Sequence, residues 1–154
     1  MTKIAVNAVQ FFREISPRAN LIEAIAEVPQ IDGDEKMLFQ AFLNLLSNAV
    51  KYSQPGDPVH VSLAVDAAGQ LAFRVKDQGI GIDPADITRM FQRYTRGRNA
   101  VDIPGTGLGL FLVRTVAAMH NGDAAVTSQL GTGSEFTISL PVPDAPAISL
   151  RQAV

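Results

Sequence analysis

Near the start of the chain, apolar residues recur at helical spacing (Ile4, Ala8, Phe11, Phe12), which predicts a short amphipathic helix over residues 3–14. Pro17 ends it, and residues 20–28 alternate loosely as a strand does. After a polar turn at 29–34, a long helix is predicted over 35–53, stopped by Gln54-Pro55-Gly56-Asp57. Its apolar positions Leu38, Phe39, Phe42, Leu45, Leu46, Ala49 and Val50 share a face broad enough to sit on a sheet. Two strand-like runs, 59–66 and 70–77, are joined by Ala67-Ala68-Gly69, a short connection that predicts an antiparallel hairpin.

Residues 78–109 are mostly aperiodic, with a turn or two of helix around 84–91. A helix over 108–120 follows and closes at Asn121-Gly122, a favourable C-terminal cap pair. Two last strands, 124–129 and 134–140, flank Gly131-Thr132-Gly133. The end carries Pro141, Pro143 and Pro146 and reads as a tail or linker. The expected fold is α/β (α+β), a two-layer sandwich whose mixed, mainly antiparallel sheet is covered on one face by about three helices. One domain over residues 1–141 and a tail over 142–154 are expected.

Composition narrows the chemistry. At 154 residues the chain is about one domain, and 47% hydrophobic with 18% charged residues is a globular balance. A formal net charge of -2 argues against broad electrostatic binding to nucleic acid. With 0 Cys and 2 His, thiolate metal sites, cysteine nucleophiles and multi-histidine zinc sites are excluded. No apolar run approaches the roughly 20 residues of a membrane span, and Met1-Thr2-Lys3 opens no signal peptide. A reducing, cytoplasmic setting without membrane contact by this domain is expected.

On the long helix, Asn44, Asn48, Lys51 and Tyr52 share one polar arc. A solvated face explains such a stripe, but asparagine is a poor interior helix residue where Lys, Glu or Gln would serve better. An amide oxygen can enter the octahedron of Mg²⁺ when a polyphosphate supplies the negative ligands. Lys51 can then offset phosphate charge, and the Tyr52 ring can lie against a base or ribose.

Two glycine loops follow. In Asp77-Gln78-Gly79-Ile80-Gly81-Ile82, the glycines permit close backbone approach, and Asp77 can accept from a nucleobase amino group such as that of adenine. A plain strand-to-loop turn is the competing account. Gly105-Thr106-Gly107-Leu108-Gly109-Leu110 runs into an apolar helix, so exposed N–H groups and a helix start favour an anion there. It lacks the Lys-Ser/Thr of a P-loop, and a simple glycine hinge competes. Between the loops, Phe91-Gln92-Arg93-Tyr94-Thr95-Arg96-Gly97-Arg98 gathers cations, either as a solvated loop or as a lid whose arginines reach a terminal phosphate.

Taken together, residues 44–52, 77–81, 91–97 and 105–110, in that order, resemble the ATP-binding catalytic domain of bacterial sensor histidine kinases, with the Bergerat fold. Gly131-Thr132-Gly133-Ser134-Glu135-Phe136 matches a weaker final motif, and the likeness covers roughly residues 1–141. The resemblance implies ATP and Mg²⁺ as ligands, under a lid over about 83–104. By match to the motifs, Asn48 would ligate Mg²⁺, Asn44 would assist, Lys51 would contact phosphate and Tyr52 would neighbour the base. Asp77 would read adenine, with Gly79, Gly81 and Ile82 beside it, and Phe91 would anchor the lid. Gly105, Thr106, Gly107, Leu108, Gly109 and Leu110 would form the phosphate loop, Thr132 would complete the site, and Arg93 or Arg96 would meet the γ-phosphate.

The resemblance also implies partners: a phosphoacceptor histidine on a dimerising helical hairpin, and a downstream response regulator. Neither His60 nor His120 has the acidic residue that follows the family's acceptor, so acceptor and adjacent base are both missing here. The expectation is a catalytic half that donates to another domain or chain, monomeric when isolated because the hairpin is absent, although the full-length protein can be membrane-anchored. Related ATPases carry a water-activating Glu one turn before the metal-binding Asn; here that place is Asn44, which favours phosphoryl transfer over hydrolysis. An autonomous ATPase of the same fold and a non-catalytic nucleotide-binding module are the alternatives.

Overall fold

The computed structural model describes residues 1–100 and 103–142. Helix α1 (Thr2–Ile15) leads into strand β1 (Asn20–Ile25), followed by α2 (Glu35–Lys51) and the hairpin β2 (Pro58–Val65) and β3 (Gln70–Lys76). A short helix α3 (Pro84–Ile87) and a 3₁₀ turn (Arg98–Ala100) occupy the long connection. Helix α4 (Gly109–Met119) and strands β4 (Asp123–Gln129) and β5 (Gly133–Pro141) complete the domain. The five strands lie in the order β1-β2-β3-β5-β4, with β1 parallel to β2 and the other neighbours antiparallel. This is the mixed, mainly antiparallel sheet that the pattern predicts.

The elements end where their local chemistry stops them. Asp34 caps α2, its side chain accepting the N–H groups of Lys36 at 2.9 Å and Met37 at 3.0 Å. The helix stops at Lys51, two residues short of the expected 53, because the chain turns at Tyr52 to meet the first glycine loop: the Ile80 N–H donates to the Tyr52 carbonyl at 3.1 Å. Strand β1 stops at Ile25 instead of reaching 28; the last ladder partner on β2 is Leu63, and the Ala26 N–H closes the pairing on its carbonyl. Asn121 adopts a left-handed φ of 58° after α4, and the Asn121 and Gly122 N–H groups bond back to Ala118 and Ala117, a Schellman cap. The expected tail begins with Pro141 still in β5, and its residues 143–154 lie outside the described residues.

One sheet face carries the rows that face the helices, such as Leu63, Phe73, Ile138 and Ala124 in register across four strands. Helix α2 crosses the middle of this face, stacking Phe42 on Phe73 with ring centroids 3.8 Å apart, flanked by α1 on one side and α4 on the other. Fully buried Leu38, Leu45, Leu46 and Ala49 fix α2 with its opposite, polar stripe turned towards the glycine loops. Among the described residues no helix is long and apolar enough to cross a membrane.

Candidate functional site

Between the polar stripe of α2, the end of β3, the lid segment and the start of α4 lies a cleft of about 320 Å³. It brings together Asn44, Asn48 and Lys51 from α2 and Tyr52 just past its end with Asp77, Gly81 and Ile82 from the first loop and Gly105, Thr106, Gly107, Gly109 and Leu110 from the second. Arg96 also lines it. Five expected members do not: Gly79, Phe91, Arg93, Leu108 and Thr132 sit outside the lining.

Each of these five has another place. A Cβ on Gly79 would lie 2.1 Å from the Tyr52 carbonyl oxygen, so the absent side chain lets the loop seat against the end of α2. Phe91 packs edge-on against Phe136, ring centroids 6.4 Å apart, which roots the lid in the core behind the cleft. The Arg93 guanidinium lies over the Phe111 ring, 4.5 Å from its centroid, in a second cleft of about 510 Å³ that also includes Leu108. Thr132 belongs to the β4–β5 turn, its N–H given to the Gln129 carbonyl at 3.0 Å. That turn supports the first loop instead of lining the cleft: Gly131 N–H donates to the Ile80 carbonyl at 2.8 Å, and Ser128 Oγ accepts the Ile82 N–H at 2.9 Å.

Asp77 is 4% exposed, and its Oδ1 accepts the N–H groups of Gly79 at 2.9 Å and Ser134 at 3.2 Å. Its Oδ2 has no hydrogen-bond partner among the described residues. Burial pushes its carboxyl above the ordinary carboxylate value, and the two N–H groups oppose this only in part. A buried, half-satisfied carboxylate at the edge of a cleft is suited to accept from a ligand's N–H.

At the other end, the amides of Asn44 and Asn48 make no hydrogen bond among the described residues. Lys51 Nζ sits 5.0 Å from the Tyr52 ring centroid and reaches across to the second loop, where a Cβ on Gly105 would stand 2.6 Å from it. Gly107 has a φ of 70°, and a Cβ there would lie 2.7 Å from the carbonyl carbon of Tyr94. Tyr94 itself takes a left-handed φ of 60° and donates its N–H to the Gly107 carbonyl at 3.0 Å. The second glycine loop and the segment before it are therefore backbone partners. Asn44, Thr106 and Gly109 line both clefts, so the second cleft opens onto this end of the first.

Ile80, Met90, Thr95, Gly97, Asn99, Ala100, Ser134 and Phe136 also line the cleft, although the sequence did not single them out as ligand contacts. Ser134 and Phe136 had a signal available, since both lie in the final glycine motif over 131–136; β5 then runs beside β3, with Phe136 opposite Val75. Asn99 gave none; its Nδ2 donates to the Gly81 carbonyl at 2.8 Å, a contact between segments 18 residues apart.

Among the described residues there is no cluster of three or more His, Asp, Glu or Cys able to hold a metal ion. A cation here would need negative ligands from a bound phosphate chain, with a neutral amide from the protein, which fits the donor set at Asn44 and Asn48.

A family model described as "Histidine kinase-, DNA gyrase B-, and HSP90-like ATPase" matches residues 33–144. The sensor-like histidine kinase SenX3 of Mycolicibacterium smegmatis is 46% identical over 111 residues, covering 71% of this chain and 29% of that protein. The histidine protein kinase DivJ of Caulobacter vibrioides is 40% identical over 121 residues, covering 78% of this chain and 20% of its own length. The chain thus spans less than a third of these curated relatives. Among solved structures, the mycobacterial sensor histidine kinase MprB superposes with a TM-score of 0.83 at 32% identity, covering 92% of this chain and 95% of that one. Full-length ShkA in complex with AMPPNP superposes with a TM-score of 0.76 at 29% identity, covering 91% of this chain and 29% of that one.

Proposed function

This chain belongs to the family of histidine kinase-, DNA gyrase B- and HSP90-like ATPases, and from that premise we propose that it binds Mg²⁺-ATP and donates the γ-phosphoryl to a histidine on a separate phosphoacceptor domain. Adenine enters at Asp77, whose unengaged Oδ2 accepts from the C6 amino group. A guanine places a carbonyl there and meets repulsion instead. The phosphate chain runs towards the amide end, where Lys51 and the backbone of Gly107 and Gly109 receive it. Asn48, with help from Asn44, would hold Mg²⁺, which would neutralise charge on the phosphates. Arg96 faces the terminal phosphate from the lid; Arg93, stacked on Phe111 outside the cleft, does not.

The observation that carries this reading over its rivals is the placement of carboxylates. Asp77 is the one carboxylate among the described residues that line the cleft, and it stands at the base-reading end. One turn before Asn48, where a hydrolase needs a general base, is the amide of Asn44. Catalysis is then positioning and electrostatic stabilisation of a transferred phosphoryl group. The bond from the γ-phosphorus to the β–γ bridging oxygen breaks, ADP leaves with the electron pair, and a P–N bond forms to an imidazole brought by the acceptor. The imidazole's proton passes to a base on the acceptor domain. The second cleft, with Tyr94 and Leu108 exposed at its rim and open to the amide end of the first, gives the approach path. A response regulator is the onward recipient of the phosphoryl group.

Phosphotransfer in trans tests this. The chain is mixed with γ-labelled ATP and candidate acceptor hairpins from sensor kinases. Acid-labile label on the hairpin, with none on this chain, is the expected result. Steady ADP production without any acceptor would replace the reading with an autonomous ATPase. Tight ATP binding without transfer to any hairpin would replace it with a regulatory nucleotide-binding module.

A further inference from the structure

Asp86, on the short helix α3, does not line the cleft, yet it is 0% exposed and carries an unusual concentration of bonds. Its Oδ2 accepts the backbone N–H of Arg98 at 2.8 Å, across 12 residues of chain. Its Oδ1 accepts Nη2 of Arg89 at 2.6 Å and Nε of Arg89 at 3.2 Å, and Nε of Arg98 stands 3.3 Å away. These donors hold its carboxyl below the ordinary carboxylate value, the Arg98 N–H acting most strongly and the Arg89 side chain next.

The geometry has a simple topology. Residue 86 is tied to residue 98, and everything between them forms a closed ring: Phe91 packed on Phe136, then Tyr94 on Gly107, then Thr95, Arg96 and Gly97 in the cleft wall. Just past the tie, Asn99 Nδ2 bonds the Gly81 carbonyl at 2.8 Å, which fastens the ring to the mouth of the cleft. Within the ring's exit, Arg96 Nη2 donates to the carbonyls of Ala100, at 2.7 Å, and Ile103. The arginine is thus aimed by backbone carbonyls whose own position depends on the 3₁₀ turn that Arg98 opens. Enclosing a carboxylate is costly unless it is fully paired, so an apolar residue would serve a purely packing role at less expense. The charge is used to hold the lid's first half in one shape.

We propose that Asp86 is a positioning residue for the γ-phosphate: by tying the Arg98 N–H it fixes the segment that presents Arg96 to the terminal phosphate of ATP. The proposal rests on the ATP site assigned above, and it makes a prediction specific to the third phosphate. ADP lacks the group that Arg96 meets, so losing the tie lowers affinity for ATP and leaves affinity for ADP in place.

The test is calorimetric titration of the chain with Mg²⁺ and either a non-hydrolysable ATP analogue or ADP. Asp86→Ala, which removes both acceptor oxygens, is compared with the parent, with Arg96→Ala, and with the double variant. Asp86→Ala is expected to change the ratio of the two dissociation constants about tenfold or more against the ATP analogue, the range of a charge-assisted contact. The double variant should lose no more than Arg96→Ala alone, because Asp86 acts through that side chain. An unchanged ratio, an equal weakening of both nucleotides, or additive losses in the double variant would overturn the proposal. Should Asp86→Ala fail to fold, Arg98→Pro removes the same N–H from the other partner, at a first-turn position that accepts proline and after a glycine that leaves room for its ring; the same ratio shift is expected and its absence overturns the idea. A parent chain that binds neither nucleotide would instead overturn the assignment of the ATP site itself.

Discussion

Asp77 holds two N–H groups on one oxygen and leaves the other without a hydrogen bond among the described residues, while its burial raises its pKa. The sign of the consequence follows from linkage. Its favourable contribution to folding is complete below the unfolded value of 3.8 and is lost as pH rises through the raised folded value. An asparagine keeps the Oδ1 acceptor and carries no charge. Asp77→Asn should therefore melt no lower than the parent at pH 7, with its advantage growing as pH rises through that window; melting curves from pH 3.5 to 8 check this. The same variant should bind ATP at least about tenfold more weakly and lose its preference over GTP, as expected for a charged hydrogen bond.

Two glycines of the second loop divide in the same way. At Gly107, a left-handed φ and the Tyr94 backbone leave no room for a methyl group, so Gly107→Ala should cost stability, on the order of 1–3 kcal/mol in urea unfolding. At Gly109, the first residue of α4, the nearest atom to an added Cβ is Asn44 Oδ1 at 3.7 Å, an ordinary contact. Gly109→Ala should hold or raise stability, by up to about 1 kcal/mol. Both variants should weaken ATP binding in a titration, Gly107→Ala by displacing the loop from the Tyr94 backbone and Gly109→Ala by placing a methyl group beside Asn44, where the proposed phosphate chain runs.

At the scale of elements, the two helices that flank the cleft are joined at the far end from it by His120. Its Nε2 accepts the Asp34 N–H at 2.9 Å, at the cap of α2, and its Nδ1 donates to the Val116 carbonyl at 2.7 Å, on α4. Gly33 packs so closely that a Cβ would meet the ring at 2.5 Å. In the sequence His120 was notable only for failing as a phosphoacceptor; the structure gives it a part in holding α2 against α4. His120→Ala leaves the Asp34 N–H without its acceptor and should cost about 1–3 kcal/mol in urea unfolding, with ATP affinity within about twofold of the parent at temperatures where both are folded. Elements were legible wherever one periodicity ran uninterrupted, as in α2 and the β2–β3 hairpin. Their ends were less so, because Tyr52 and Ala26 stop their elements through bonds to residues 28 and 37 positions away.

For the molecule as a whole, the sequence revealed the sheet, its helical layer and most of the cleft, because motifs that line one cleft keep their order and spacing along the chain. What stayed hidden was connectivity between them. Gly79 and Thr132, expected as ligand contacts, sit outside the cleft lining, at the joints of the first loop with the end of α2 and with the β4–β5 turn. Arg93 and Arg96, equivalent on paper, part company because one stacks on Phe111 and the other lines the cleft, with its Nη2 given to the Ala100 and Ile103 carbonyls. Nothing in local pattern distinguishes such cases, since each depends on which distant backbone arrives alongside. The proposed function requires one ligand orientation: base at Asp77, phosphates at Asn44 and Asn48. A crystal of the chain grown with Mg²⁺ and a non-hydrolysable ATP analogue distinguishes it from any other. The expected result is the adenine amino group within hydrogen-bond distance of Asp77 Oδ2 and the triphosphate beside the Asn48 amide. A nucleotide bound in the reverse sense, or seated away from this cleft, would contradict it.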